Sequence, residues 1–331
     1  MNKRNLFVLV IAVSMFLLVS VSASLAASYN LKLAHNLPPT DSSLYHQAAL
    51  KFKELIEKES GGEISVQIFA ASQLGSDVSV AKKVQGGAIE MEILTANKLG
   101  AFYPPIDLYS LPFLLKDFDV AAKVFQTSVH KGITDELEKK SEIKTLAFVG
   151  AGFRNITNSK HPINKPEDLK DLKIRIPENK IELATFKALG ANPVNIPGSE
   201  LFSALQQGVA DGQDGSADWA YAKKFYEVQK YLAVTHHQLS TSTMIINAKF
   251  FSSLPQKLQE SVLKASKETE AYWQKLCKDG DNDVIDRFKA KGMQITYPDL
   301  DLFIQKVQPV YSEFADRLGG MDKIKAVQAV K

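Results

Sequence analysis

Two arginines stand where a guanidinium could bind an anion. Arg154 follows the end of an apolar run, and Arg175 lies between Ile174 and Ile176. On a strand these isoleucines share one face, so if they face the core, Arg175 points toward a cleft or toward water. A guanidinium presents a planar fork of donors that matches a carboxylate. From these residues alone, Arg175 is either a ligand contact or a surface or ion-paired arginine.

Sequence patterns typical of catalysis are absent. The chain has no Gly-x-Ser-x-Gly, His-Glu-x-x-His or Gly-x-x-x-x-Gly-Lys segment. The neighbouring rings of His236 and His237 would point to opposite faces of a strand, which disfavours a metal site there. We therefore expect a binding protein, not an enzyme, with no cofactor and no metal. The alternative class, a periplasmic enzyme, needs a base and a nucleophile that these motifs do not supply.

The beginning of the chain has the features of a secretory signal peptide. Lys3 and Arg4 precede an uncharged apolar run over 6–19, and small residues follow. The run is short for a membrane-spanning helix, which needs about 20 residues. We expect cleavage near Ala26 or Ala27 and a mature protein in the periplasm.

Composition narrows the class of protein further. The formal net charge is +3, and it includes Lys3 and Arg4, so the mature chain is close to neutral and no nucleic-acid partner is expected. Cys277 is the only cysteine; it cannot form an internal disulfide, and we expect it to pack in a helix. The length suggests about two domains.

The amino-terminal part alternates between strands and helices. Apolar runs predict strands over 31–34, 64–68 and 89–95, and helical spacing predicts helices over 43–59 and 76–85. Such alternation favours a parallel sheet covered by helices, the α/β class.

A similar alternation follows a predicted amphipathic helix over 117–139. The remaining predicted elements are a strand over 145–150, a strand over 172–176, a helix over 181–189, a strand over 192–194, a helix over 199–207, a loop over 210–215, and strands over 232–235 and 241–246. Two α/β units in series, with Gly150 to Arg154 between them, suggest two lobes joined by extended crossings.

The longest helical pattern covers about 255–287. A helix of about 30 residues would be about 45 Å long, which exceeds one small lobe, so we expect it to brace both. The predicted boundaries are 1–27 for the signal peptide, 28–152 plus about 240–280 for lobe I, and 153–239 plus about 281–331 for lobe II.

Several segments, in order along the mature chain, resemble one family. They are Ser72–Gly75, Leu169–Pro177, Ala188–Pro193, Ala204–Gln213 and Lys224–Val228. Together they are similar to solute-binding proteins of TRAP (tripartite ATP-independent periplasmic) transporters, of the dicarboxylate-binding (DctP) type. The resemblance implies a two-lobed periplasmic-binding-protein fold with a ligand cleft between the lobes. It also implies delivery of a small organic carboxylate to a membrane permease for ion-gradient-driven uptake.

The resemblance also implies roles for individual residues. Arg175 occupies the place of the arginine that pairs with the ligand carboxylate, and Arg154 matches an assisting arginine. Further ligand contacts implied with less specificity are Asn36, Asp77, Thr95 and Phe202, the last as an apolar wall. Each has a structural alternative: a turn residue, a helix cap, a strand residue and a core residue, respectively.

The chain departs from the family after Gln213. Relatives often carry Glu-Asn-Pro there, whereas this chain has Asp214, Gly215 and Ser216, with Trp219 one turn later. Asp214 is expected to accept hydrogen bonds from ligand hydroxyls or an ammonium. Trp219 is expected either to stack on the ligand or to pack its helix, and Gly215 offers only backbone and space.

Three ligand classes remain open at this stage. The stretch Gly152–Lys160 resembles members that bind sugar acids, so a sugar acid such as a uronate is the first expectation. A C4-dicarboxylate is the second, since two arginines could hold two carboxylates. An aromatic or amino-acid-like carboxylate, suggested by Trp219 and Asp214, is the third.

Overall fold

The computed structural model describes residues 29–331, and the predicted signal peptide lies outside the described residues. The strands are β1 Tyr29–His35, β2 Ile64–Phe69, β3 Met91–Thr95, β4 Ile143–Asn158, β5 Lys173–Ile176, β6 Asn192–Asn195, β7 Gly212–Ser216, β8 Tyr231–Asn247 and β9 Gln294–Thr296. The α-helices are α1 Leu44–Glu59, α2 Asp77–Gln85, α3 Phe118–Val124, α4 Ser128–Ser141, α5 Lys180–Ala188, α6 Leu201–Gln206, α7 Ala217–Ala222, α8 Ala248–Ser253, α9 Gln256–Ala290, α10 Leu300–Phe314 and α11 Met321–Gln328. This composition confirms the predicted α/β class.

The strands of the described range join one sheet. Its order is β2-β1-β3-β8-β4-β7-β5-β6, and β9 lies beside β8. At one end β1 runs parallel to β2 and β3, and at the other β5 runs parallel to β6 and β7. The antiparallel pair β4 and β8 lies between these two parallel units. The predicted pair of parallel α/β units is therefore confirmed.

The strands β4 and β8 are long and run through both units, which confirms the predicted extended crossings. They pair along most of their length, with an irregular register between Gly150 and Phe153. The prediction of separate strands over 232–235 and 241–246 is wrong, because Leu239 between them also pairs with β4. The 17 residues of β8 correspond to about 55 Å of extended chain.

The helix α9 braces the two units. It has 35 residues and is therefore about 52 Å long. It contacts α1 and β4 on one side and α7 and β9 on the other. Its apolar stripe from Leu258 to Trp273 is buried, and Cys277 continues that stripe in the core. The predicted bracing helix is thus confirmed.

The prediction of a single helix over 117–139 is wrong, because the chain forms two helices, α3 and α4, that are separated at Thr127. The Thr127 hydroxyl donates to the carbonyl oxygen of Val124 and accepts a hydrogen bond from the backbone N–H of His130. It thereby closes the end of α3 and caps the start of α4.

The prediction of a loop over 210–215 is also wrong in part, since β7 begins within this segment, at Gly212. A Cβ at Gly212 would lie 2.2 Å from the carbonyl oxygen of Thr157 on β4. Glycine therefore permits a close approach of the two strands, and a run rich in glycine and aspartate forms a buried strand rather than a turn.

Two clusters of buried apolar side chains hold the sheet and helices together. The larger includes Leu33 of β1 and Ile174 of β5, so it extends across both parallel units; the smaller includes Phe225 and Phe288. The helix α10 packs on α5, whereas α11 packs on α4. The predicted lobe boundaries stay a prediction. None of the helices within 29–331 combines the length and apolarity needed to span a membrane.

One carboxyl group, that of Glu92, is buried within the first parallel unit. Glu92 is 1 % exposed, and its strand neighbours are Ala34 on β1 and Ile245 on β8. Its Oε2 finds no hydrogen-bond partner in the described part of the chain. Burial, and secondarily the nearby Asp77 carboxyl, raise the pKa of Glu92 well above its ordinary value. The fold therefore favours the neutral acid.

Replacing Glu92 by glutamine is expected to raise the free energy of unfolding at pH 8 by about 1 kcal/mol or more. Burial raises the pKa of Glu92 in the folded state. The contribution of this acid to stability is therefore fully present below the pKa that it has in the unfolded chain. It is lost as the pH rises through the pKa of the folded state. Denaturant unfolding at pH 5 and pH 8 checks this. The exposed Glu54 gives a matched control, Glu54→Gln, with little pH-dependent change. An equal effect of Glu92→Gln at both pH values would contradict the prediction.

Candidate ligand-binding site

A cavity opens between the two parallel units, beside the crossing strands. Its empty space, with the open mouth included, is about 680 Å³. Residues at or just after the carboxyl ends of β1, β3 and β5 contribute Asn36, Thr95 and Pro177 to its wall. Its charged lining residues are Asp77, Lys98, Arg154, Arg175, Asp214 and Asp218.

The strand β5 places Arg175 in this cavity. Ile174 and Ile176 are fully buried on the opposite face, as the alternation predicts. Arg175 is 4 % exposed as a whole residue, and its Nε donates to the carbonyl oxygen of Ile196 at 2.8 Å. Within the described residues, its two terminal nitrogens have no protein acceptor. Burial, followed by repulsion from Arg154, lowers the pKa of Arg175 to about 10, so the group is still a cation at neutral pH.

Arg154 also lines the cavity, but acidic side chains surround it. Its Nε and Nη2 donate to the two carboxylate oxygens of Asp214 at 2.9 and 2.6 Å. Nη2 also lies 3.4 Å from Oε2 of Glu182. Burial by itself would lower the pKa of Arg154, but the two carboxyl groups outweigh it and raise the pKa. Only Nη1 has no protein partner in the described chain, so most of this guanidinium binds protein groups.

Asp214 is fully buried, and both its oxygens are engaged. Besides Arg154, His237 contacts its Oδ1 through Nε2 at 2.9 Å. Burial opposes ionisation of Asp214, but Arg154 and His237 outweigh it and lower the pKa. Glu182 is in the opposite situation: burial raises its pKa, although Asn97 donates to its Oε1 at 2.8 Å. The expected hydrogen bonds from ligand to Asp214 stay a prediction, with no oxygen free of a protein partner.

Three further predicted contacts line the same cavity. Asn36 follows β1 and donates through Nδ2 to Asp77 Oδ2 at 2.8 Å, and Lys223 Nζ donates to the carbonyl oxygen of Asn36 at 2.9 Å. Asp77 begins α2, and burial raises the pKa of its carboxyl. Thr95 ends β3 and precedes a 3-10 helix, Ala96–Ala101. All three follow, or belong to, elements of the first parallel unit, whereas Arg175 belongs to β5 of the second.

Gly215 and Trp219 also line the cavity, whereas Phe202 does not. Phe202 lies on α6, is partly buried, and packs against the smaller core cluster. The structure therefore supports the core alternative for Phe202, because α6 turns this side chain away from the cleft. Trp219 takes the place that was expected for Phe202 as the apolar wall.

Sequence reasoning missed several polar lining residues, above all Lys98. Lys98 lies three residues after Thr95 in Ala96–Ala101, and burial and Arg175 lower the pKa of its amine. Ser216 and Ser240 bring hydroxyls from β7 and β8. The position of Lys98 just beyond a strand whose end faces the cleft was a usable signal, since loops at strand ends form such sites.

The charges in the wall favour an anion. Arg154 is paired with Asp214, and Asp218 is paired with Arg287 at 2.9 Å. Arg175, Lys98 and Asp77 remain, none of which has an opposite charge within 4.0 Å in residues 29–331. Among the lining residues, two cations and one carboxyl group are thus left without an ion pair, and this excess of cations suits an anionic ligand; Glu182, which is not part of the lining, shares Arg154 with Asp214.

Comparison with known proteins assigns the chain to a family. The family described as bacterial extracellular solute-binding protein, family 7 (DctP), matches residues 33–317. The chain belongs to this family. Its structural neighbours are TRAP periplasmic solute-binding proteins, which confirms the two-lobed fold and the transport class that the motifs predict.

Individual relatives are named for, or bound to, different ligands. The chain is 32 % identical to the 2,3-diketo-L-gulonate-binding periplasmic protein YiaO of Escherichia coli, over 95 % of this chain and 96 % of that protein. It is 31 % identical to the C4-dicarboxylate-binding periplasmic protein DctP of Rhodobacter capsulatus, over 99 % and 98 %. A TRAP solute-binding protein of a Polaromonas species, bound to D-erythronate, superposes with a TM-score of 0.87 at 30 % identity, over 92 % and 99 %.

Proposed function

We propose that this solute-binding protein captures a small hydroxylated monocarboxylate, a sugar acid, and delivers it unchanged to a membrane permease for ion-gradient-driven uptake. The observation that carries the proposal is the Arg175 guanidinium, buried in the cleft with both terminal nitrogens unpartnered among described residues. A ligand carboxylate would supply the two acceptors that the fork lacks. We further propose export to the periplasm after cleavage near Ala26 or Ala27.

The other wall of the cleft supports hydroxyl groups on the ligand. Asp77 is a carboxyl group in the lining of the same cavity, and in its ionised form it would repel a second ligand carboxylate beside it. Hydroxyls can instead donate to Asp77 and exchange hydrogen bonds with Ser216 and Ser240.

A C4-dicarboxylate is the second candidate, and one observation favours it. Lys98 is a second cation without an acidic partner within 4.0 Å in the described chain, so it can pair with a distal carboxylate. The same amine can donate to hydroxyls of a sugar acid, so the two ligands compete for one set of groups.

A thermal-shift panel on the mature protein tests both candidates. We expect erythronate, galactonate or glucuronate to raise the melting temperature, because a ligand that binds only the folded state adds about 2.7 kcal/mol at 100 times its Kd. Succinate and malate should give smaller shifts. A larger shift with succinate would favour the second candidate, and no shift with any carboxylate would refute both. NMR spectra of the recovered ligand test whether it is released unchanged.

A further inference from the structure

The indole of Trp219 is seated between two glycines that come from different elements. A Cβ at Gly215 of β7 would lie 3.0 Å from Trp219 Cε3 and 3.1 Å from Cζ3. A Cβ at Gly198, in the loop before α6, would lie 3.2 Å from Trp219 Cζ2. At either position a larger side chain would require the indole to shift by a few tenths of an ångström. The two glycines together make the space that the benzene half of the indole fills.

The same indole holds the anion-binding guanidinium. The Arg175 guanidinium carbon lies 5.5 Å from the Trp219 ring centroid, within the range of a cation–π contact. The carbonyl oxygen of Ile196 fixes Nε on the other side. Arg175 Nη2 would be 3.9 Å from a Cβ at Gly198, so guanidinium, indole and glycine share one corner of the cavity.

The indole is itself anchored. Its ring makes an edge contact with Phe225 at 5.2 Å between centroids and 81° between planes, and Phe225 is completely buried. Trp219 therefore joins the core on one side and the cavity wall on the other. A side chain held in this way cannot swing aside for a bulky ligand without breaking core packing.

We propose that Trp219 is the positioning and specificity-determining residue of the carboxylate site. It orients the Arg175 fork and closes the space beside it, which selects short, unbranched hydroxy acids of about four carbons over six-carbon acids and uronates. The inference rests on the proposed function, since it assumes that the carboxylate binds Arg175.

Calorimetric titration of erythronate, gluconate and glucuronate into four proteins tests this role: wild type, Trp219→Phe, Trp219→Ala and Gly198→Ala. In the wild type we expect erythronate to bind most tightly. Trp219→Ala should weaken erythronate about tenfold or more and weaken gluconate much less, so that the preference shrinks or reverses. Trp219→Phe should keep most of the preference. Gly198→Ala retains the tryptophan but displaces it, and should also reduce the preference.

The outcomes separate two kinds of failure. If no wild-type titration gives heat or a thermal shift, the proposed function itself is refuted. If wild type binds but Trp219→Ala lowers all three affinities by one common factor, or changes none, the role of Trp219 in selection is refuted while carboxylate binding stands. Intact melting curves of the unliganded variants exclude misfolding as the cause.

Discussion

Arg175→Ala is expected to lower the affinity for a carboxylate ligand at least 100-fold, which corresponds to about 3 kcal/mol. The guanidinium is buried, fixed at Nε by Ile196 and unpartnered at both terminal nitrogens in the described chain. Its removal leaves the ligand carboxylate without the guanidinium fork that matches it, in a cleft where Lys98 is the remaining cation without an ion pair in the described lining, and this loss exceeds that of an exposed ion pair. Isothermal titration of wild type and variant with one sugar acid measures the effect.

A charge-conserving variant separates the contribution of the positive charge from that of the guanidinium geometry. Arg175→Lys keeps the positive charge but replaces the planar fork with a single point of donation, so it should recover only part of the affinity. The unliganded Arg175→Ala protein should melt at or above the wild-type temperature, because burial without an acidic partner makes the native guanidinium costly in the empty site. Unchanged affinity in Arg175→Ala would remove the central claim about the site.

Periodicity predicted the parts of the fold that depend on local burial. The buried strand β5, the helix α9 and the alternation that leads into two parallel units all follow from spacing of apolar residues. The continuity of β8 does not, because polar residues between its apolar ends are buried by pairing with β4. The strand nature of β7 likewise depends on a close approach of Gly212 to Thr157. Neither contact has a local signal in the sequence.

Most of the residues predicted for the site line the cavity, whereas the contacts among them could not be predicted from the sequence. Arg175 could be chosen from its place between two core isoleucines and from family resemblance. That Arg154 is held by Asp214 and Glu182 could not, since these three residues come from β4, β7 and α5 and meet only in the folded chain. Phe202 was expected at a wall that Trp219 occupies, because the direction of a helix face depends on packing against the rest of the molecule.

The ion cluster around Arg154 gives rise to the second large expected effect. Arg154→Met should lower the free energy of unfolding by about 3–5 kcal/mol at pH 8, since the buried Asp214 and Glu182 would both lose their ion-pair partner. In the wild type the lowered pKa of Asp214 means that its stabilising contribution is present above its unfolded pKa and is lost as pH falls through its folded pKa. Denaturant unfolding at several pH values measures both proteins.

In Arg154→Met the sign of this dependence reverses for the orphaned acids. Their pKa values should rise, so the variant should lose more stability relative to wild type at pH 8 than at pH 5. Adding Asp214→Asn should recover part of the loss at pH 8, because one buried charge is removed. Arg175→Met is the matched control: it removes a buried arginine from the same cavity without orphaning an acid. Equal destabilisation by Arg154→Met and Arg175→Met would show that Arg154 does not hold this cluster together, and would return it to the role of a second ligand arginine.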